Sequence, residues 1–130
     1  MKLVVNTLLG VGMPAIAEAV VLGEKAGLDR ARLLEVLSQT AVIAAAHVGK
    51  LARAAINDYS PQFPLPLMNK DFRLILKAAQ EHLPMPATEA AFRVNSGKLA
   101  HNDEEDFSAV LRRMEEVAGI AAIHSAPVAS

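Results

Sequence analysis

From Leu3 to Leu22 the chain is apolar on almost every side of a 3.6-residue period, with Asn6, Thr7 and Glu18 as the polar exceptions. Such a stretch predicts one long helix over Met1–Ala26, buried against other helices or a second subunit and capped by Gly27. Pro14 should bend it, because the ring clashes with the preceding turn and brings no donor. Asp29 suits the N-cap of a second helix, whose apolar face is Leu33, Leu34, Val36 and Leu37 and which runs out at Ser38-Gln39-Thr40. A third helix is expected over about Ala41–Asn57. Pro61, Pro64 and Pro66 then make Asn57–Pro66 a loop, which leads into a fourth helix over about Leu67–His82. Leu83-Pro84-Met85-Pro86 breaks that helix, and a fifth follows over Ala87–Leu99. The acidic run Asn102–Asp106 suits the start of a sixth, in which Phe107, Val110, Leu111 and Met114 recur at helical spacing as far as Val117. Periodicity stops near Gly119, so a helical unit over residues 1–118 and a loose tail over 119–130 are expected. The apolar residues are mostly alanine and leucine, with four phenylalanines, one tyrosine and no tryptophan, which strengthens an all-α reading of about six helices, the first the longest.

At 130 residues there is room for one domain with one core. Thirteen Lys and Arg against fourteen Asp and Glu leave a net charge of −1, so no basic excess is available for nucleic-acid phosphates or anionic lipid, and neither is expected as a partner. The absence of cysteine removes disulfides, thiolate catalysis and cysteine zinc sites, and makes a cytoplasmic location the simplest expectation.

Two patterns near the N-terminus imitate something else. Lys2, the apolar run after it and Ala15-Ile16-Ala17 resemble a secretory signal with its cleavage site, but cleavage there would cut a helix that flows on to Lys25. The uncharged stretch Leu3–Ala17 falls short of the ~20 residues of a membrane span, and Gly10, Gly12 and Pro14 interrupt it. Gly10-Val11-Gly12-Met13-Pro14-Ala15 matches the form of a dinucleotide fingerprint, yet no second strand ending in an acid follows it.

His47, His82, His101 and His124 are far apart in sequence and make no ligand pair of recognisable spacing, so no metal is assigned. Two polar placements stand out. Lys2 and Asn6 lie one helical turn apart, an ammonium and an amide on one face of an otherwise apolar segment. Lys70 stands beside Asp71 just after the proline loop, where a cation near the positive end of a helix is unfavourable unless an anion meets it.

Three segments in order, Lys2-Leu3-Val4-Val5-Asn6, Leu22 through Asp29, and Phe63 through Leu67 leading to Lys70-Asp71-Phe72-Arg73-Leu74, make residues Lys2 to about Val117 resemble a known family. It is the C-terminal helical domain of the β-hydroxyacid dehydrogenases, the 3-hydroxyisobutyrate dehydrogenase-like branch of enzymes built like 6-phosphogluconate dehydrogenase. The resemblance implies that Lys2 is the catalytic general acid/base, that Asn6 binds substrate, and that Lys70 contacts the nicotinamide cofactor. It further implies an NAD(P)-dependent parent oxidoreductase that interconverts a small β-hydroxy acid with its aldehyde or ketone, working as a homodimer or higher oligomer. NAD or NADP would be held mainly by an N-terminal dinucleotide-binding domain, which nothing in this sequence resembles, so the chain alone is expected to be inactive. The glycine-rich turn that precedes the lysine in the family is also missing. The competing reading is a standalone helical self-association module in which Lys2 and Asn6 are inert.

Overall fold

The computed structural model of the chain describes residues 1–97 and 104–120. Six α-helices carry the described residues: α1 (Lys2–Lys25), α2 (Arg30–Ser38), α3 (Ala45–Ala55), α4 (Leu65–Ala79), α5 (Pro86–Ser96) and α6 (Val110–Val117). Short 3-10 turns follow α4 at Gln80–His82 and precede α6 at Phe107–Ala109. The fold is all-α, and its one extended pairing among the described residues is an isolated bridge between Pro64 and Asp106. α1 is the central post and packs on each of the other five helices.

Local chemistry sets the helix ends. α1 closes with Gly27 at φ +97°, where the Leu28 N–H reaches the Gly23 carbonyl at 3.0 Å and the Gly27 N–H reaches that of Glu24 at 3.0 Å. Asp29 caps α2 as expected, accepting from the Arg32 N–H at 3.0 Å. α3 begins at Ala45 rather than Ala41: the Thr40 hydroxyl bonds back to the Leu37 carbonyl at 2.9 Å, and the β-branched Thr40, Val42 and Ile43 favour a turn there. α4 begins two residues earlier than expected, with Pro64 at its N-cap and Pro66 in the first turn, where a missing N–H costs no hydrogen bond. It ends at Ala79, since Gln80 adopts φ +51°. α5 takes Pro86 as its first residue and is described to Ser96, so the expected extension to Leu99 lies outside the described residues. The same holds for the tail beyond Ile120, whereas Ile120 itself is buried.

α1 remains a single helix through Pro14, so the bend expected there does not divide it. One face of it, Met13, Ile16, Ala17 and Val20, meets Leu34, Leu51, Met68, Phe72, Ala91, Phe107 and Leu111 in the core. Each large side chain buried there contributes ~1.5–3 kcal/mol of apolar transfer free energy. By length and composition α1 could cross a membrane, which corrects the reading that its apolar run stops short at Ala17; here it is the core helix of the bundle. The two glycines that imitated a fingerprint have packing roles. A β-carbon on Gly10 would stand 2.6 Å from Met68 Cε and Phe72 Cζ, and one on Gly12 would stand 2.5 Å from His47 Cε1. They let α4 and the His47 ring approach α1.

Candidate active site

The first two turns of α1 lie against the first half of α4, and one hydrogen bond joins the two polar placements. Asn6 Nδ2 donates to Asp71 Oδ2 at 2.7 Å across 65 residues of sequence. Asp71 is buried, and an ionised carboxylate only accepts, so the amide must turn its NH2 towards α4. Its Oδ1 and second N–H are thereby oriented for another group. Lys2, one turn before Asn6, stands exposed at the start of α1. Lys70 is exposed on α4, beside Asp71, with no ion-pair partner among the described residues.

The structure corrects one step of the argument for Lys70. Because α4 starts at Leu65, Lys70 is in its second turn and not at its N-terminus. The helix dipole acts mainly within the first turn, so it does not explain an anion at Lys70. What remains is an exposed ammonium next to a carboxylate already engaged by Asn6. In the sequence Asp71 is marked only as the neighbour of Lys70. Its role as the anchor of Asn6 needed the packing of α4 on α1, which sequence spacing did not reveal.

A second layer holds α4 in place. Asp106 Oδ1 accepts from the backbone N–H groups of Gln62 at 3.0 Å and Phe63 at 2.8 Å. Its Oδ2 accepts from the Ser108 hydroxyl at 2.6 Å and pairs with Lys50 Nζ at 2.8 Å. Burial alone would raise this carboxyl, but Lys50, Ser108 and the two amides hold it below the usual range. Lys50 also donates to Gln62 at 3.1 Å and lies 5.1 Å from the Phe107 ring centre. Asp106 therefore pins the proline loop to α3 and α6, and the loop fixes where α4 begins. The acid followed two residues on by serine was a turn signal in the sequence; the Lys50 partner was not.

Leu3 and Thr7 of α1 and Ile75 and Ala79 of α4 border a cleft of about 190 Å³ that Leu83 and Met85 complete. Among the described residues no group of three or more metal-ligating side chains converges. Chemically, the site is an exposed amine and an oriented amide on one helix, with a second exposed amine on its neighbour. Groups of these types are able to hold a small oxygen-rich anion and to exchange a proton with it.

The fold is an all-α bundle with these groups on its long helix, and comparison with known proteins places it further. Residues 1–114 match the family described as NAD-binding of NADP-dependent 3-hydroxyisobutyrate dehydrogenase. The chain belongs to this family, whose cofactor is NAD(P). It is 34% identical over 122 residues to 2-(hydroxymethyl)glutarate dehydrogenase of Eubacterium barkeri, covering 92% of this chain and 40% of that protein. Against glyoxylate/succinic semialdehyde reductase 2 of Arabidopsis thaliana the identity is 37% over 118 residues, covering 88% of this chain and 33% of the relative. Among solved structures, Mycobacterium tuberculosis 3-hydroxyisobutyrate dehydrogenase with L-serine superposes with a TM-score of 0.74 at 32% identity, over 85% of this chain and 40% of the other. The Salmonella typhimurium 3-hydroxyisobutyrate dehydrogenase gives 0.77 at 26% identity, with the same coverage. The chain thus spans only 33–40% of the length of these proteins.

Proposed function

We propose that this chain is the catalytic helical part of an NAD(P)-dependent oxidoreductase that interconverts a small β-hydroxy acid and its aldehyde or ketone. The observation that supports the reading is the Asn6–Asp71 bond, which ties the α1 turn carrying Lys2 and Asn6 to the α4 turn carrying Lys70 and Asp71. Lys70, an exposed cation without an acidic partner among the described residues, fits the anionic nucleotide and would help to hold it. The chemistry that bound NAD(P)+ would supply is a hydride acceptor for the carbinol carbon. Lys2, with its amine neutral, takes the hydroxyl proton as that hydride leaves, and in the reverse direction its ammonium returns a proton to the carbonyl oxygen. Asn6, fixed by Asp71, uses its remaining amide groups to keep the hydroxy acid in line with Lys2.

A cytoplasmic location and self-association belong to the same reading. Val4, Val5, Leu8 and Leu22 are exposed on α1, and Val4, Leu8, Val11 and Ala15 fall in the alternating three- and four-residue spacing of a helix–helix seam. Sedimentation should show a dimer or larger species at micromolar concentration; a clean monomer would count against it.

The catalytic reading is tested in the chain joined to a dinucleotide-binding domain of its family. Lys2→Ala should lower kcat by ~10²–10⁴ with cofactor affinity nearly unchanged. Asn6→Ala should raise KM, and Lys70→Ala should weaken cofactor binding. The chain alone should not turn over hydroxy acid with NAD(P)+. Near-normal kcat in Lys2→Ala across the pH range would leave the self-association module as the better account.

A further inference from the structure

Pro14 sits inside α1 without an N–H, so it gives no helical donor to the Gly10 carbonyl one turn earlier. Gly10 and Gly12 lie in the same stretch, and each glycine weakens a helix interior about fivefold relative to alanine. By their own chemistry, residues 10–14 are the weak point of α1. They separate a first segment, Lys2–Leu9, which carries Lys2 and Asn6, from Ala15–Lys25, which enters the core at Ile16, Ala17 and Val20. A helix interrupted there holds its first segment less firmly, and contacts from outside decide where that segment sits. α1 is nevertheless a single helix.

The His47 ring of α3 meets α1 at this point. It is 4% exposed, and its Nε2 lies 2.9 Å from the Leu9 carbonyl. A carbonyl only accepts, so Nε2 carries the proton and donates. The ring also lies against the backbone of Gly12, where a β-carbon would stand 2.5 Å from Cε1, 3.0 Å from Nε2 and 3.3 Å from Nδ1. One side chain is thus bonded to Leu9 just before the weak stretch and packed on Gly12 within it. α3 is itself held close by, where Lys50 pairs with Asp106 at 2.8 Å.

We propose that His47 is a positioning residue, which clamps the first segment of α1 across the Gly10–Pro14 weak point and so holds Lys2 and Asn6 in place. It works together with the Asn6–Asp71 bond: that bond ties the segment to α4 at 2.7 Å, and His47 ties it to α3. The bearing of the clamp on turnover rests on the catalytic reading above, whereas its hold on the helix does not.

The test is hydrogen exchange of the chain followed by NMR, with the wild type beside two variants. His47→Leu keeps a side chain of similar bulk but donates nothing, and His47→Gln keeps a donor at its tip. In His47→Leu the amides of Asn6–Met13 should exchange about three- to tenfold faster, the range set by one hydrogen bond, while those of Ile16–Val20 stay as in the wild type. His47→Gln should recover most of the difference. Gly12→Ala displaces the ring independently. It should speed the same amides in the wild type but slow them in a His47→Ala background, where the space is free and alanine is the better helix former. Faster exchange in every helix alike, or a Gly12→Ala effect that is the same with and without the ring, would overturn the clamp. In the chain joined to a dinucleotide-binding domain, His47→Leu should lower kcat/KM for the hydroxy acid about tenfold with cofactor affinity unchanged, and His47→Gln should recover it. If Lys2→Ala slows that enzyme and His47→Leu does not, the positioning role falls while the catalytic reading stands. If Lys2→Ala is silent, the catalytic reading falls and the exchange pattern alone decides the clamp.

Discussion

The two ends of α1 put polar groups to opposite uses. At its start, Lys2 and Lys70 are exposed and only Asn6 and Asp71 are tied together. At its end, Arg30 and Glu115 are buried, and the guanidinium has partners on α3, α6 and the loop after α3. A charge that the fold satisfies internally contributes to holding the fold; one left facing water is available to a ligand. The core helix thus joins an open polar end to a fastened end through a common apolar middle, Met13 to Val20.

The largest effect that would break this contrast is at the fastened end. Arg30→Ala strands Glu115 and removes the donor to Ala54, so the chain should lose ~3–5 kcal/mol, as when one partner of a buried pair is deleted. Chemical denaturation measures it directly. A loss below ~1 kcal/mol would mean that the cluster is solvated and behaves like an ordinary surface pair.

An intermediate effect belongs to the bond between α1 and α4 at the open end. Asp71→Ala removes a buried acceptor but leaves Asn6 half-exposed, where water can replace it. The expected cost is ~1.5–3 kcal/mol, the range for a hydrogen bond to a charged group. In the assembled enzyme the same change should raise KM for the hydroxy acid, because the amide loses its fixed orientation. An unchanged KM would detach Asp71 from substrate placement.

Much of the fold was legible because its signals are local. The Gly27 closure, the Asp29 cap, the periodicity of α6 and the prolines that bracket α4 and α5 all act within a few residues. The turn at Thr40–Ile43 was missed because a helix-like composition hid a hydroxyl that bonds back to the preceding helix. At the site, Lys2 and Asn6 were visible because one turn of helix relates them. Asp71 as the partner of Asn6, and Lys50 as the partner of Asp106, were not, since those pairs are 65 and 56 residues apart in sequence and only tertiary packing joins them. The same distance hid the Arg30–Glu115 pair.

The smallest expected effect on stability sharpens the contrast most. Lys2 is exposed, makes no ion pair among the described residues and lies in the first turn, where alanine is an excellent helix former. Lys2→Ala should therefore leave the unfolding free energy of the chain within about 0.5 kcal/mol of wild type. The same change is expected to lower kcat of the assembled enzyme by ~10²–10⁴. A residue that is silent in folding and costly in turnover owes its place to chemistry, because no packing role accounts for the loss. If Lys2→Ala instead lowered stability by more than ~1 kcal/mol, any fall in kcat could come from a displaced α1, and the rate would have to be judged with Lys2→Arg, which keeps the charge and the aliphatic stem but exchanges a proton poorly near neutral pH.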